Sequence, residues 1–397
     1  MRPVKKIEVN MGNTKLRAIL AGVFLVIAMV SIGYGVSLLL NKSEGWREVE
    51  VTSKEPNCST ELVFNYLFGE SGVSVNQEYR AVAQLYTQSC QEGYDLFQRE
   101  GELAKLKPNT PVKVDKALYD ALYLVHESGN RSLYLANVYD EYQRMFLCEN
   151  EDEAARYDPA QDPELAELVA EMAAYANDPE MIGLDFSDGK VTLRVADAYL
   201  DYAEEMGITQ FLDFGWMRNA FIVDYIADRM VDAGYTHGYL ASFDGFTRNL
   251  DASGTNYDLN LFGREGTNVV KPGTVSYSSP AALVQLRDFP MSQQDRWHYY
   301  AFPDGHIASV YTDPADGMTK CAVPQLVAYG QEKRCAEILM EVAPVFLQDA
   351  LQEDALGALT EKGIYSLWCV DGEIRYNQQG LQFSQLTEGY KASYVNP

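Results

Sequence analysis

The sequence predicts an α+β fold, a single mixed domain preceded by one N-terminal membrane-spanning helix. Three observations carry that prediction. Segments with helical spacing crowd the first part of the chain, alternating strand-like runs take over past Gly254, and a crossing helix separates the two regimes. No long flexible linker interrupts residues 60–380, so helices and strands belong to one core. With 397 residues, 47% of them hydrophobic, the chain has ample material for it.

The elements follow in order. Ala18 to Leu40 is apolar and uncharged, long enough to cross a bilayer as a helix, which needs ~20 such residues. Arg2, Lys5, Lys6, Lys15 and Arg17 precede it, so the positive-inside rule puts residues 1–17 in the cytoplasm. The run exceeds the ~7–15 residues of a signal-peptide core and lacks a small-residue cleavage pattern, which favours an uncleaved anchor. Everything after it then lies outside the cytoplasmic membrane. Residues 41–59 are a polar linker with room for one strand. Residues 77–99 have helical spacing. Asp115 caps a helix "KALYDALYLVHES" with Leu118, Leu122 and Val125 on one face, and Gly129 stops it. The acidic segment 149–164 reads as a solvated loop, and Pro163 starts the next helix. Asp188-Gly189 marks a hairpin, as do Pro303-Asp304-Gly305 and Asp371-Gly372. A helix is expected at roughly 332–350, and residues 381–397 read as a C-terminal tail.

The net charge of −25 excludes nucleic acid as a partner, since no basic cluster beyond the N-terminus offsets the repulsion from a phosphate backbone. Six cysteines, Cys58, Cys90, Cys148, Cys321, Cys335 and Cys369, all lie in the outer part, with no C-x-x-C pair. That spacing points to neither a zinc cage nor a redox dithiol. Disulfides and buried free thiols both remain compatible with it.

One stretch carries a resemblance. "DFGWMRNAFIVDYIADRMVDAGYTHGYLASFDGF", residues 213–246, resembles the D-x-G-x-x-A-K-G-Y-x-x-D-x-x-A segment of the FAD:protein FMN transferase family, the thiamine-biosynthesis-lipoprotein-like proteins. Asp213, Gly215, Val223 and Asp224 match, and "SFDGF" stands where the family has a Gly-Gly pair, with Gly245 retained. "LFQREGELAKLKPNTPVKVDKALYDALYLVHESGN", "YYAFPDGHIASVYTDPADG" and "GIYSLWCVDGEIRYN" are similar to further family segments in the same order, over roughly residues 60–376.

The resemblance implies a magnesium-dependent reaction that splits FAD and moves FMN onto a Thr or Ser hydroxyl of a protein acceptor. It implies flavin-nucleotide contacts at Asp213, Gly245 and Asp313, and a Mg²⁺ held by Glu337 and Glu341. The last two stand i, i+4 on one helix face, as a ligand pair or as two solvated glutamates would. Asp213 equally suits a helix N-cap, and Asp313 a turn. Other family positions are substituted. Asn219 replaces a lysine, Leu133 a carboxylate and Val310 a histidine, while "QQDRW" at 293–297 stands for T-S-G-D-Y. His298 and His306 lie close in sequence to the lost histidine, with ordinary satisfied surroundings the simpler expectation. The resulting expectation is a membrane-anchored, transferase-like protein with a degenerate site; the alternative is a non-catalytic relative that binds a flavin nucleotide or a protein partner.

Overall fold

A computed structural model describes residues 44–396 apart from 267, 292–294 and 296. The apolar run 18–40 and the basic tail before it lie outside the described residues. Among the described residues no helix is long and apolar enough to cross a membrane.

The described residues divide into two compact units, residues 44–46 with Leu67–Ala81, and Arg47–Tyr66 with the described residues from Val82 onward. In the smaller one, Glu78 accepts the Gly69 N–H at 2.9 Å and the rings of Phe68 and Tyr79 lie 5.2 Å apart.

One long sheet contributes most of its strands to the larger unit. Its strands are Gly45–Glu48 (β1), Leu62–Phe68 (β2), Gly238–Ser242 (β6), Phe246–Asn249 (β7), Ala281–Arg287 (β10), Gln325–Gly330 (β13), Tyr365–Val370 (β14), Glu373–Tyr376 (β15) and Lys391–Tyr394 (β17), in the order β1-β2-β6-β7-β10-β13-β14-β15-β17. Pairing from β2 to β15 is antiparallel, and β17 runs parallel to β15. The strands Pro111–Val112 (β3), Ile182–Ser187 (β4) and Lys190–Val195 (β5) make a small separate sheet, and Tyr257–Glu265 (β8), Asn268–Tyr277 (β9) and Phe383–Leu386 (β16) make another. Tyr299–Ala301 (β11) and Ile307–Ser309 (β12) form the hairpin around Asp304-Gly305.

Period-two burial explains the layering. Leu283 of β10, Val327 of β13 and Leu367 of β14 pack with Leu259 and Leu261 of β8 and Val275 of β9, all under 9% exposed. The other sheet face carries helices. Arg218–Asp232 and Cys335–Phe346 pack against β7 and β10, and the Cys335 thiol donates to the Thr247 carbonyl at 3.3 Å. Each fully buried Leu or Val in these layers contributes ~1.5–3 kcal/mol of transfer free energy.

Local signals set the helices. In chain order they are Val75–Phe97 (α1), Lys116–Ser128 (α2), Ala136–Phe146 (α3), Glu151–Ala154 (α4), Pro163–Asn177 (α5), Asp197–Met206 (α6), Arg218–Asp232 (α7), Cys335–Phe346 (α8) and Glu353–Leu359 (α9). Asp115 accepts the Ala117 N–H at the start of α2, and Gly129 ends it at φ +70°. Asp162 does the same for α5, with Pro163 in the first turn. Asp188 and Gly189, both left-handed, form the two-residue turn of the β4–β5 hairpin.

Three expectations change. The acidic segment is not all loop. Asn150 caps α4, whose first turn holds Glu151, Asp152 and Glu153, where carboxylates complement the exposed N–H groups. Residues 381–397 are not a bare tail, since β16 pairs with β9 and β17 with β15. The helix expected near 332–350 is shorter, starting at Cys335 and ending at Phe346, two residues past Pro344.

Candidate functional site

Two hollows in the larger unit compete for attention. One of about 710 Å³ is lined by Tyr277, Tyr329, Tyr365, Gln378 and neighbours, and none of its lining residues carries a buried polar atom without a partner. The other, about 540 Å³, opens around the start of α7, and its wall includes Arg218, Asn219 and Asp244, each with a buried polar atom lacking a hydrogen bond. Buried unpaired polar atoms are rare in folded proteins and mark places where a ligand or water completes the site. The second hollow is the candidate site.

Distant segments build it. Glu61 comes from the turn before β2, Arg99 from the end of α1, and Tyr139 and Tyr142 from α3. Asp213, Gly215 and Trp216 enter α7, which supplies Arg218 and Asn219, and the β6–β7 turn supplies Phe243 and Asp244. Asp295, Trp297, His298, Val310 and Thr312 close the ring. Gly215 fits its place because its φ is +52° and an added Cβ would stand 2.4 Å from the Tyr139 ring.

A polar network fills the wall. Arg218 donates to Glu61 at 2.5 Å and to Gln98 at 2.7 Å. The Asn219 amide N–H₂ donates to Glu61 at 2.9 Å and to Asp244 at 3.0 Å. Arg99 grips Asp140 through both terminal guanidinium nitrogens and donates from Nε to Gln210, with Asp213 Oδ2 at 3.9 Å. Asp295 is held by Arg287 at 3.0 Å and by the Met291 N–H at 2.6 Å. Burial pushes the Asp213 carboxyl above its ordinary pKa against the opposing Gly215 N–H and Arg99. Burial does the same to Asp244, against the nearby His298.

The residues named from sequence separate here. Asp213 lines the cleft. It accepts the Gly215 N–H at 2.8 Å, turning the chain into the short 3₁₀ segment Gly215–Met217 rather than capping α7 itself. Gly245 sits behind the wall at φ +113°, where an added Cβ would stand 2.2 Å from the Gln285 carbonyl oxygen. Asp313 accepts from Ala315 N–H and from Lys320 at 2.7 Å, within its own turn. Glu337 accepts the Arg334 N–H at 3.1 Å and caps α8, while Glu341 pairs with Lys362 at 2.7 Å; neither lines the cleft. Leu133 is fully buried, and its carbonyl accepts the Asp213 N–H at 2.9 Å. His298 and Val310 line the cleft, whereas His306 pairs with Asp158 at 3.1 Å.

Glu61, Arg99 and Asp244 were not singled out from sequence. Only Asp244 had a signal, a carboxylate in place of the first glycine of the family's pair. Among the described residues no group of three or more His, Cys, Asp or Glu side chains stands where it could hold a metal ion. The residues present therefore do not fit the magnesium that the resemblance implies, and no chemical step is derived through it.

At the sequence level the chain matches no family model and no curated protein. Solved structures do match in fold. The crystal structure of the ApbE protein from Thermotoga maritima superposes with a TM-score of 0.55 at 10% identity, covering 86% of this chain and 97% of that one. The flavin transferase ApbE from Vibrio cholerae gives 0.54 at 11% identity, covering 87% and 99%. The fold that the resemblance at residues 213–246 implies thus extends over most of the chain: this chain has the fold of the ApbE flavin transferases.

Proposed function

We propose that this chain is a flavin-transferase-like protein that binds a ligand in its cleft without transferring FMN, held outside the cytoplasmic membrane by residues 18–40. One observation carries the reading. The two guanidiniums lining the cleft are already paired, Arg99 with Asp140 and Arg218 with Glu61, and the lining carboxylates outnumber the guanidiniums five to two. Splitting a diphosphate requires its growing charge to be neutralised by cations or a metal. This wall adds negative charge instead. The substitutions agree with it. Asn219 stands for the family's lysine, and the buried Leu133 for a carboxylate.

The test uses the full-length protein with FAD, Mg²⁺ and a Thr-containing acceptor protein. In-gel flavin fluorescence and AMP release should both stay at the protein-free level. Turnover that disappears in Asp213→Ala would overturn the proposal in favour of an active transferase. The anchor is tested separately: the protein should stay in the membrane pellet at alkaline pH, with the domain open to protease from outside.

A further inference from the structure

We propose that the cleft beside Asp213 recognises an organic cation, a primary alkylammonium group, rather than a nucleotide phosphate. This rests on reading the cleft as a binding site, and it names the chemistry that the site selects.

The net charge of the wall favours a cation. The described lining residues include Glu61, Glu100, Asp213, Asp244 and Asp295 against Arg99 and Arg218, so two positive and five negative groups leave −3 with His298 neutral. Adding the partners just behind the wall, Asp140 on Arg99 and Arg287 on Asp295, brings one charge of each sign and leaves the balance unchanged. An approaching anion is repelled and a cation attracted.

A second observation is independent of net charge. Asn219 is only 3% exposed and spends both amide hydrogens on carboxylates, one on Glu61 and one on Asp244. Those two acceptors fix the amide's orientation, because an oxygen turned toward either would face another oxygen. Its Oδ1 is therefore a buried acceptor without a donor, and Asp244 Oδ1 in the same wall is another. While the unpartnered donors of the same wall, Arg218 Nε and Trp216 Nε1, leave the choice of sign to the net charge, these two buried acceptors leave a place for an N–H-rich guest. A bare metal ion suits them less, since the amide N–H₂ stands between the carboxylates of Glu61 and Asp244 and keeps them from sharing one ion. The wall also carries aromatic rings. Trp216 and Tyr139 line the interior, and Phe243 and Trp297 line it while 38% and 46% exposed. Ring faces attract alkylammonium groups, whose carbon chain also covers apolar surface.

Titration calorimetry on the full-length protein tests this with four probes: cadaverine, a lysine-containing peptide, FMN and MgCl₂. Saturable binding of cadaverine or the peptide is expected, with the better of the two telling a small amine from a lysine side chain of a protein. Asp244→Asn should weaken it by at least ~10-fold, as expected for the loss of a charge-assisted bond. Phe243→Ala, at a partly exposed position that does not threaten folding, should weaken it several-fold. Glu341→Gln, an acid outside the cleft, should leave it unchanged. Equal effects of Asp244→Asn and Glu341→Gln would mean non-specific attraction to an acidic protein and would overturn the proposal. So would FMN binding more tightly than either amine, or Mg²⁺ displacing the amine one for one. FAD turnover would sink the non-catalytic reading, whereas absent amine binding without turnover would sink this inference alone.

Discussion

Asp224 is the joint between the two helices that back the sheet behind the cleft, and removing its carboxylate should cost more stability than any exposed acid. It is 5% exposed and accepts the Cys335 N–H at 2.9 Å and the Ala336 N–H at 2.8 Å, two donors at the start of α8. It also pairs with Arg248 at 2.8 Å, and that side chain is 14% exposed. Losing an acceptor at a helix start costs ~1–2 kcal/mol. Breaking a buried ion pair by deleting one partner costs ~3–5 kcal/mol, because the other charge stays buried. These losses share one side chain and do not simply add. Arg248 keeps a contact to Asp228 at 3.3 Å, which favours the lower end, so Asp224→Ala should cost about 3–4 kcal/mol. Asp224→Asn retains an acceptor but not the charge and should cost about half as much. Asp228→Ala is the control. That carboxylate is 33% exposed and bonds only side chains, Arg248 and Arg334, so its loss should stay below ~1 kcal/mol. Urea unfolding followed by circular dichroism, with equal slopes for all variants, gives the three values. An Asp224→Ala cost no larger than that of Asp228→Ala would refute the claim that Asp224 ties α7 to α8.

Three further outcomes are expected. His306 bonds Asp158 at 3.1 Å, and this raises its pKa above 6.5; a raised histidine stabilises the fold below pH ~6.5 and loses that contribution as pH rises through its folded value. The thermal midpoint gap between the native protein and His306→Gln should therefore shrink from pH 6 to 8.5, and a constant or widening gap would contradict it. Gly215→Ala forces a Cβ to 2.4 Å from the Tyr139 ring at φ +52°, so it should destabilise by about 1–3 kcal/mol and shift the fluorescence of neighbouring Trp216; native-like melting and emission would argue against that tight entry turn. Arg131 donates to the Ala176 carbonyl at 2.7 Å and the Ile182 carbonyl at 2.8 Å, with its guanidinium 4.1 Å from the Tyr134 ring centre. Arg131→Ala should cost about 2–3 kcal/mol in chemical denaturation, and Arg131→Lys should recover less than half, since an ammonium cannot reproduce the fork; full recovery by lysine would show that charge alone matters.

Much of the framework was legible before any tertiary contact was known. The Asp115 cap, the Pro163 helix start, the Gly129 stop and the Asp188-Gly189 and Asp371-Gly372 turns act within a few residues of chain, so their signals survive in sequence. Asp213 and Gly215 were legible as part of a family resemblance, and with them the fold that the ApbE structures share, although the helix cap that Asp213 suggested is a 3₁₀ entry turn instead. The site's chemistry was not. Glu337 and Glu341 share a helix face by spacing, yet packing gave one a helix cap and the other Lys362 from a different segment. β16 and β17 carry no strong pattern of their own and form because unpaired strand edges are there to receive them. The acidic wall gathers Glu61, Arg99, Asp213, Asp244 and Asp295 from stretches far apart in the chain. Helix caps and turns are local hydrogen-bond choices and can be read from neighbours. Which charges meet across a cleft depends on distances that exist only once the sheet and its helices have closed.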